Sequence, residues 1–170
     1  MKKITILDST LRDGAQGEGI SFSVKDKIHI CQALDELGIQ YIEAGNPGSN
    51  PKDMEFFQEI KKVPLKNARV CAFGATRRKD TTCEQDSQLQ SLLQAGTDTV
   101  VIFGKSWDFQ VKEIIKTTLT QNLDMIKETC AYLKAQGRTV FYDAEHFFTA
   151  WEQNKEYALK TLYAALDGGA

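Results

Sequence analysis

Five short segments of the sequence concentrate the side chains that could do chemistry. They are DSTLRDGAQ (residues 8–16), EAGNPGSN (43–50), GATRR (74–78), GKSWD (104–108) and DAEH (143–146). Carboxylates in these segments could bind a cation, and the guanidinium and ammonium groups could hold an oxyanion. Each segment directly follows a short apolar run, which is the position of a loop at the end of a strand.

Four of these side chains suit a reaction that develops negative charge on oxygen. Asp13 is a hard oxygen donor suited to Mg²⁺ or Mn²⁺, and a neighbouring neutral histidine would also admit Zn²⁺. Arg12 could stabilise an enolate or alkoxide oxygen. Glu43 and Glu145 could position Arg12, hydrogen-bond a substrate or transfer a proton. A simpler interpretation is that such residues cap helices and solvate turns, but their recurrence at five strand ends favours a shared site.

The apolar runs predict strands that alternate with helices. Strands are predicted at residues 4–7, 40–44, 69–73, 99–103 and 139–142, and helices at 24–37, 52–61, 85–94, 119–135 and 156–166. The strand runs do not alternate strictly, as is typical of parallel strands covered on both faces. Glycines at the predicted helix ends, before the next strand, repeat the same punctuation. The pattern predicts an α/β fold with a parallel sheet, either a (β/α)8 barrel or a doubly wound sheet.

Length favours an incomplete barrel over a complete one. A whole (β/α)8 barrel takes about 250 residues, and this chain has 170. The final glycines, Gly168 and Gly169, repeat the punctuation that elsewhere precedes a strand. We therefore expect residues 1–170 to be the N-terminal part of one catalytic barrel domain, with about five β/α units. In such barrels the catalytic residues lie at the C-terminal ends of strands.

Composition argues against nucleic-acid and membrane partners. The formal net charge is -2 and the 21 lysines and arginines are scattered, so no basic stripe marks a nucleic-acid surface. No apolar run approaches the roughly 20 residues of a membrane span. Four cysteines are spread along the chain without a CxxC pair (Cys31, Cys71, Cys83 and Cys130). We expect them to be reduced, structural thiols of a cytoplasmic protein.

The segment at residues 8–16 resembles a known signature. It is similar to the D-x-T-L-R-D-G-x-Q motif of the metal-dependent aldolase-like TIM barrels, a superfamily of 2-isopropylmalate, homocitrate and citramalate synthases, hydroxymethylglutaryl-CoA lyases and carboxyltransferase domains. Longer strings are similar to the citramalate synthase branch, namely residues 17–23, 45–53, 72–78, 102–107 and 142–148. The resemblance covers essentially the whole chain.

The resemblance implies roles for individual residues. Asp13 matches the metal-ligand aspartate, and Arg12 matches the arginine that stabilises the oxyanion. Glu43 matches the glutamate on the second strand that completes the family's Asp-Arg-Glu set. Glu145 matches a fifth-strand glutamate near the keto-acid substrate. Two further residues, Gln16 and Thr76, are candidates for substrate or ligand-network contacts.

The histidines of this sequence depart from the family pattern. The family completes its metal site with an H-x-H motif on a later strand, whereas this chain has only His29 and His146. His29 lies beside the apolar stripe of the first helix and is expected at the surface. His146 cannot replace a histidine pair. Because later strands and a regulatory domain are also absent, we expect the 170 residues alone to be inactive.

The implied reaction is the condensation of acetyl-CoA with a 2-oxo acid, pyruvate being favoured, in branched-chain amino-acid synthesis. The implied cofactor is a divalent metal (Mg, Mn or Zn), and the full-length protein is expected to be a homodimer. The catalytic base is not identifiable in these residues. Lys105, Arg77 and Arg78 could meet CoA phosphates or a substrate carboxylate, or could be solvated loop cations. Two alternatives stay open: carbon–carbon cleavage, as in the lyases of the superfamily, and a non-catalytic or truncated chain.

Overall fold

A computed structural model describes residues 4–170 and shows alternating strands and helices. The strands are β1 (Leu7–Asp8), β2 (Tyr41–Gly45), β3 (Arg69–Ala75), β4 (Thr99–Lys105) and β5 (Thr139–Glu145). The helices are α1 (Val24–Glu36), α2 (Pro51–Ile60), α3 (Ser87–Ala95), α4 (Leu119–Ala135) and α5 (Phe147–Asp167). A 3₁₀ turn at Gly14–Gln16 and a π-helical turn at Gln110–Ile115 complete the described elements.

The strand order distinguishes the two predicted architectures. The five strands form one sheet in the order β1-β2-β3-β4-β5, and β1 with β2 and β2 with β3 pair in parallel. A doubly wound sheet would reverse its strand order at a switch point, whereas a barrel adds each strand beside the last. The predicted fold class is therefore confirmed, as five consecutive units of a (β/α)8 barrel.

The bounds of every predicted element differ from the observed ones by three residues or fewer, except at the start of α5. Strand β1 is Leu7–Asp8 rather than residues 4–7, although the carbonyl of Ile6 accepts a hydrogen bond from the backbone N–H of Tyr41 at 3.1 Å. Helix α5 begins nine residues before the predicted start at residue 156. Asn154 has non-helical dihedrals within α5 (φ -150°, ψ 75°), and its Oδ1 accepts from the N–H of Tyr157 at 3.2 Å. Asn154 thus caps a second helical segment, which is the one the pattern predicted.

Local sequence signals begin the helices of the first of two compact units, which comprises residues 4–73 and 91–100. The Ser23 hydroxyl caps α1 by accepting from the N–H of Asp26, whose carboxylate accepts in return from Ser23. Pro51 occupies the first turn of α2, after the Asn50 cap, where a missing N–H costs nothing. Helix α1 packs against α2 and β2. The core of this unit contains apolar side chains that are fully buried, including Leu11, Cys31, Ile42, Phe56, Phe57 and Leu92.

The second unit comprises residues 74–90 and 101–170. Its helix α4 follows the Thr118 cap, whose hydroxyl accepts from the N–H of Gln121 at 3.1 Å. Helix α4 packs against α5 and β5. The apolar stripe of α4 is buried at Met125, Ile126 and Leu133, as its helical spacing requires.

Glycines and cysteines occupy characteristic positions in the fold. Gly38, Gly96 and Gly137 have φ values of 84°, 71° and 78°, which are the left-handed helix ends that the sequence pattern predicted. All four cysteines are free and buried, as structural thiols would be, and their reduced state stays a prediction. Within residues 4–170, none of the helices combines the length and the apolar character needed to cross a bilayer.

Candidate active site

The turn after β1 is built by its own side chains and carbonyls. The Asp8 carboxylate accepts from the N–H of Thr10 at 3.0 Å and from its hydroxyl at 3.1 Å. The carbonyl of Ser9 accepts from the backbone N–H groups of three successive residues, Arg12, Asp13 and Gly14, at 2.9 to 3.2 Å. Leu11 is fully buried and anchors the turn. This local network fixes the direction in which the next two side chains leave the backbone.

Arg12 meets three different groups within the first unit. Its Nε pairs with the carboxylate of Glu43 on β2, and its Nη1 donates to Asp13 Oδ1 at 3.0 Å. The guanidinium carbon lies 3.9 Å from the centre of the Phe73 ring, which is a cation–π distance. The Glu43 side chain is 3% exposed and that of Arg12 is 18% exposed. A buried carboxylate is thus neutralised by a guanidinium that is partly accessible to solvent.

Ser9 joins this pair as a second donor to the same carboxylate. Its hydroxyl donates to Glu43 Oε1 at 3.0 Å. The structure therefore brings Arg12, Asp13 and Glu43 together, as expected from their positions in the sequence. Their roles in a reaction stay predictions.

Asp13 is the exposed member of this group. Its side chain is 66% exposed, and Oδ1 is held by Arg12. Across the described part of the chain, no group of three or more histidine, cysteine, aspartate or glutamate side chains is arranged to hold a metal ion. One exposed carboxylate alone does not make a divalent-metal site. The described residues therefore do not fit a complete metal centre, and any further ligands would have to come from outside them.

Gln16 lines a polar cavity in the first unit. The cavity, about 330 Å³ in volume, lies beside the segment that follows the Arg12 turn and the start of α2. Its lining includes Arg12, Gln16, Lys27, Asn46, Lys52 and Asp53. Gln16 is exposed, and its backbone N–H donates to the carbonyl of Asp13 at 3.0 Å.

In the second unit, Glu145 at the end of β5 pairs with Lys105 at the end of β4. The side chains are 30% and 20% exposed. The N–H of Ser106 donates to the carbonyl of Glu145 at 3.3 Å, and the Nδ2 of the fully buried Asn122 donates to the carbonyl of Lys105 at 2.8 Å. The strand ends that present this ion pair are therefore fixed by backbone contacts.

Thr76 and Arg77, also in the second unit, are buried at the end of β3. Thr76 is 9% exposed, and its N–H donates to the carbonyl of Phe103 at 3.0 Å. Arg77 Nε pairs with Glu128 at 2.7 Å, and its Nη1 donates to the carbonyls of Arg78 and Thr81. Arg77 is thus a buried side chain, 8% exposed, whose Nε and Nη1 are both bound within the protein.

Arg78 pairs with the fully buried Asp86 at 3.1 Å. Burial alone would raise the pKa of the Asp86 carboxyl, but hydrogen bonds from the N–H and guanidinium of Arg78 and from the N–H groups of Leu89 and Gln88 lower it below its usual value. This pair shapes the loop before α3. Arg78 therefore has a structural partner, in addition to any ligand it could meet.

The two histidines are both exposed. His29 is exposed on α1, as expected. His146 is exposed and left-handed (φ 55°) directly before α5, and its ring centre lies 6.2 Å from that of Trp107. Left-handed backbone is uncommon outside glycine, although histidine is one of the residues enriched there.

Four residues near the site were not singled out from the sequence. Ser9 and Phe73 contact the Glu43–Arg12 pair directly, and Lys27 and Asp53 form a buried ion pair beyond it. The sequence does contain an indication that Lys27 is buried and paired. This residue stands at a position of α1 adjacent to the apolar stripe, where a charge needs a partner, but the identity of that partner depends on tertiary structure.

Comparisons with known proteins show which chains this one is similar to. The family model described as HMGL-like matches residues 3–168. The chain is 52% identical over 169 residues to a protein named (R)-citramalate synthase from Sulfolobus acidocaldarius. The match covers 99% of this chain and 32% of that protein. The 2-isopropylmalate synthase of the same organism is 31% identical over 169 residues, with 99% of this chain and 41% of that protein covered. The chain thus spans about a third of the first relative's length.

A solved structure supports the fold independently. The HMG-CoA lyase of Bacillus subtilis superposes with a TM-score of 0.77 at 20% identity, over 99% of this chain and 56% of that one. At this identity the likeness shows the barrel fold and carries no statement about the reaction.

Proposed function

The chain belongs to the HMGL-like family, and on that premise we propose that the protein condenses acetyl-CoA with a 2-oxo acid, pyruvate being favoured, to give citramalate. The observation that carries the proposal is the Arg12–Glu43 pair beside the exposed carboxylate of Asp13. Higher identity to the citramalate synthase than to the 2-isopropylmalate synthase of one organism, 52% against 31%, supports pyruvate over a larger keto acid.

Arg12 is proposed as the group that stabilises negative charge during condensation. When acetyl-CoA loses a methyl proton, charge develops on the thioester oxygen, and when the enolate attacks the keto carbon, charge develops on the new alkoxide. A guanidinium already fixed by Glu43, Asp13 and Phe73 needs no reorganisation as that charge appears. Glu43 then acts as the positioning residue of Arg12. The subsequent hydrolysis of the thioester makes the overall reaction irreversible.

Asp13 is proposed as one ligand of a divalent metal (Mg, Mn or Zn), which would polarise the keto acid when bound. Asp13 would then supply only one of the ligands that a divalent metal needs. Glu145, with its partner Lys105, is proposed to contact the keto acid, and Gln16 and Thr76 are proposed as weaker substrate contacts. The wider proposals are that residues 1–170 belong to a single catalytic barrel domain and that the protein is a cytoplasmic homodimer.

Replacing Asp13 by alanine should abolish metal-dependent condensation in the protein at its full natural length. The test follows thiol release from acetyl-CoA with pyruvate and identifies the product by mass spectrometry, with added Mg²⁺, Mn²⁺ or Zn²⁺ and after chelation. A matched control replaces Asp124, an exposed aspartate on α4, by alanine.

Three outcomes would contradict parts of the proposal. An Asp13→Ala protein with unchanged, metal-dependent turnover would remove the ligand assignment. Cleavage of a hydroxyacyl-CoA without thiol release from acetyl-CoA and pyruvate would favour the lyase reaction instead. A preference for a larger 2-oxo acid over pyruvate would reject citramalate as the product.

A further inference from the structure

The buried ion pair between Lys27 on α1 and Asp53 on α2 lies next to the strand end that presents Glu43. Both side chains are 8% exposed, and Lys27 Nζ lies 2.5 Å from Asp53 Oδ1. Lys27 Nζ also donates to the carbonyl of Ala44 at 2.8 Å, and Asp53 Oδ2 accepts from the N–H of Asn46 at 2.8 Å. The pair therefore bridges the backbone on both sides of Gly45.

The bridged segment is irregular in the sheet. Residues 41, 42 and 43 of β2 face residues 69, 70 and 71 of β3 in a regular parallel register, but Gly45 faces Ala72, so that Ala44 is an extra residue. Such a bulge locally disrupts the ladder and is found next to active sites, where it sets the direction of a side chain or ends the pairing. Glu43 is the last residue of β2 in the regular register, directly before this bulge.

Gly45 shows how tightly the pair is packed against the bulge. Its φ is 149°, and a Cβ built at this position would lie 2.4 Å from the Asp53 carboxylate. The absence of a side chain at residue 45 lets Asp53 reach the N–H of Asn46 while it holds Lys27. Bulge, glycine and ion pair thus form one arrangement at the exit of β2.

A buried ion pair is a poor way to increase stability alone. Removing two charges from water costs much of what their attraction returns, and well-packed apolar residues often serve as well or better. The Lys27–Asp53 pair differs from a simple core contact because each member also binds one backbone group of the β2 exit. Its chemistry is therefore suited to fixing a conformation.

We propose that Lys27 and Asp53 are positioning residues that lock the bulge at Ala44 and so hold Glu43 against Arg12. The inference rests on the proposed condensing function, in which Glu43 positions the oxyanion-stabilising Arg12. Loosening the β2 exit would displace Glu43 and with it the guanidinium. Misplacement of a catalytic group by about 1 Å can reduce a rate by as much as about 100-fold.

The test compares two aspartates of the same unit. Asp53 and Asp35 are 6% and 5% exposed, and both accept backbone N–H groups. Only Asp53 contacts the β2 exit, since Asp35 binds residues 66–68 before β3. Asp53→Asn should lower kcat by about tenfold or more while the KM values for pyruvate and acetyl-CoA change less than about twofold. Asp35→Asn should lower the melting temperature but leave kcat within about twofold.

A second measurement separates this inference from the proposed function. Hydrogen exchange of the peptide spanning residues 41–50 should be faster in Asp53→Asn than in Asp35→Asn or the wild-type protein. Should the unpaired lysine prevent folding, the double variant Lys27→Met/Asp53→Asn removes both charges and is measured in the same way, because it still lacks the tether to Ala44.

The outcomes are distinct. Lower kcat together with faster exchange in the Asp53 variants alone supports the positioning role. Unchanged kcat in an active, folded Asp53 variant overturns it, as does an equal loss of kcat in Asp35→Asn. If the wild-type protein condenses no 2-oxo acid, the proposed function fails, and exchange alone decides: unchanged exchange at residues 41–50 overturns the lock, and faster exchange supports it.

Discussion

Arg12 occupies a position that only a guanidinium fills completely. Its Nε pairs with Glu43, its Nη1 donates to Asp13, and its flat face lies over the Phe73 ring. A planar, delocalised cation makes these three contacts at once, whereas the ammonium of lysine is a compact point charge with no face to stack. A positive charge at this position is therefore not enough to make all three contacts, which also require the planar shape of the guanidinium.

Replacing Arg12 by lysine should reduce kcat of the condensation by about 10²–10³-fold, the loss typical of a missing oxyanion donor. The melting temperature should fall as well, because the Arg12 side chain is only 18% exposed and neutralises the buried carboxylate of Glu43. Steady-state kinetics and thermal unfolding measure the two effects. Arg69→Lys, at an exposed arginine at the start of β3, is the matched control. A variant that keeps more than about a third of its kcat would show that charge alone suffices.

At the scale of elements, periodicity was a good guide where local signals govern. The bounds of α4 agree with the prediction at both ends, and α1 differs by one residue. The π-helical turn at Gln110–Ile115 and the start of α5 were not predicted. In α5, the kink at Asn154 is stabilised through Asp108, 46 residues earlier, and such a partner is invisible to a local pattern.

The same limit applies to the candidate site. The residue types and their places at strand ends allowed Arg12, Asp13 and Glu43 to be predicted, because the ends of parallel strands meet at one edge. The buried charges on α1 could not be assigned a role in that way. Lys27 finds its partner 26 residues later, and Asp35 finds its backbone donors more than 30 residues later.

Asp35 ties the C-terminal end of α1 to the segment before β3, and this tie should depend on pH. Hydrogen bonds from the backbone N–H groups of Lys66, Ala68 and Asn67 lower the pKa of the Asp35 carboxyl below its ordinary value. Because the folded-state pKa is depressed, its contribution to stability is fully present above the unfolded-state pKa of about 4. The contribution is lost as the pH falls through the lower, folded-state pKa.

Asp35→Asn should therefore lower the urea midpoint at pH 7, and the difference from the wild-type protein should shrink between about pH 4 and lower values. Urea unfolding across this range measures the effect. Asp124→Asn, at an exposed position on α4, serves as the control. A difference that stays constant down to the acid limit would exclude the carboxylate as its source.

Across the molecule, the four cysteines report on the opening of each compact unit. Cys31 and Cys71 lie in the first unit and Cys83 and Cys130 in the second. Burial raises the thiol pKa to about 12 for Cys31 and Cys71 and to about 11 for Cys83 and Cys130. Since the thiolate is the reactive form, native protein at pH 8 should resist thiol reagents.

We expect fewer than one thiol per chain to react with a disulfide reagent within minutes at pH 8, and all four to react in denaturant. Mass spectrometry of protein partly labelled in low urea would then show whether the two cysteines of one unit are modified together, which indicates that the unit opens as a whole. Rapid labelling of the native protein would mean that these side chains are not buried in solution. The labelling rate of a small-molecule thiol in solution, whose pKa is not raised by burial, provides the reference.

The close fit of Asp53 against Gly45 has a consequence for how this protein can change over generations. Any side chain at residue 45 collides with the carboxylate at residue 53. Loss of that carboxylate leaves the buried ammonium of residue 27 without its acidic partner. Single substitutions at these three positions therefore pass through damaged intermediates. Related proteins that lack one of these three residues are expected to lack the other two as well. In a combinatorial library over the three positions, functional variants should carry combined replacements and not single ones.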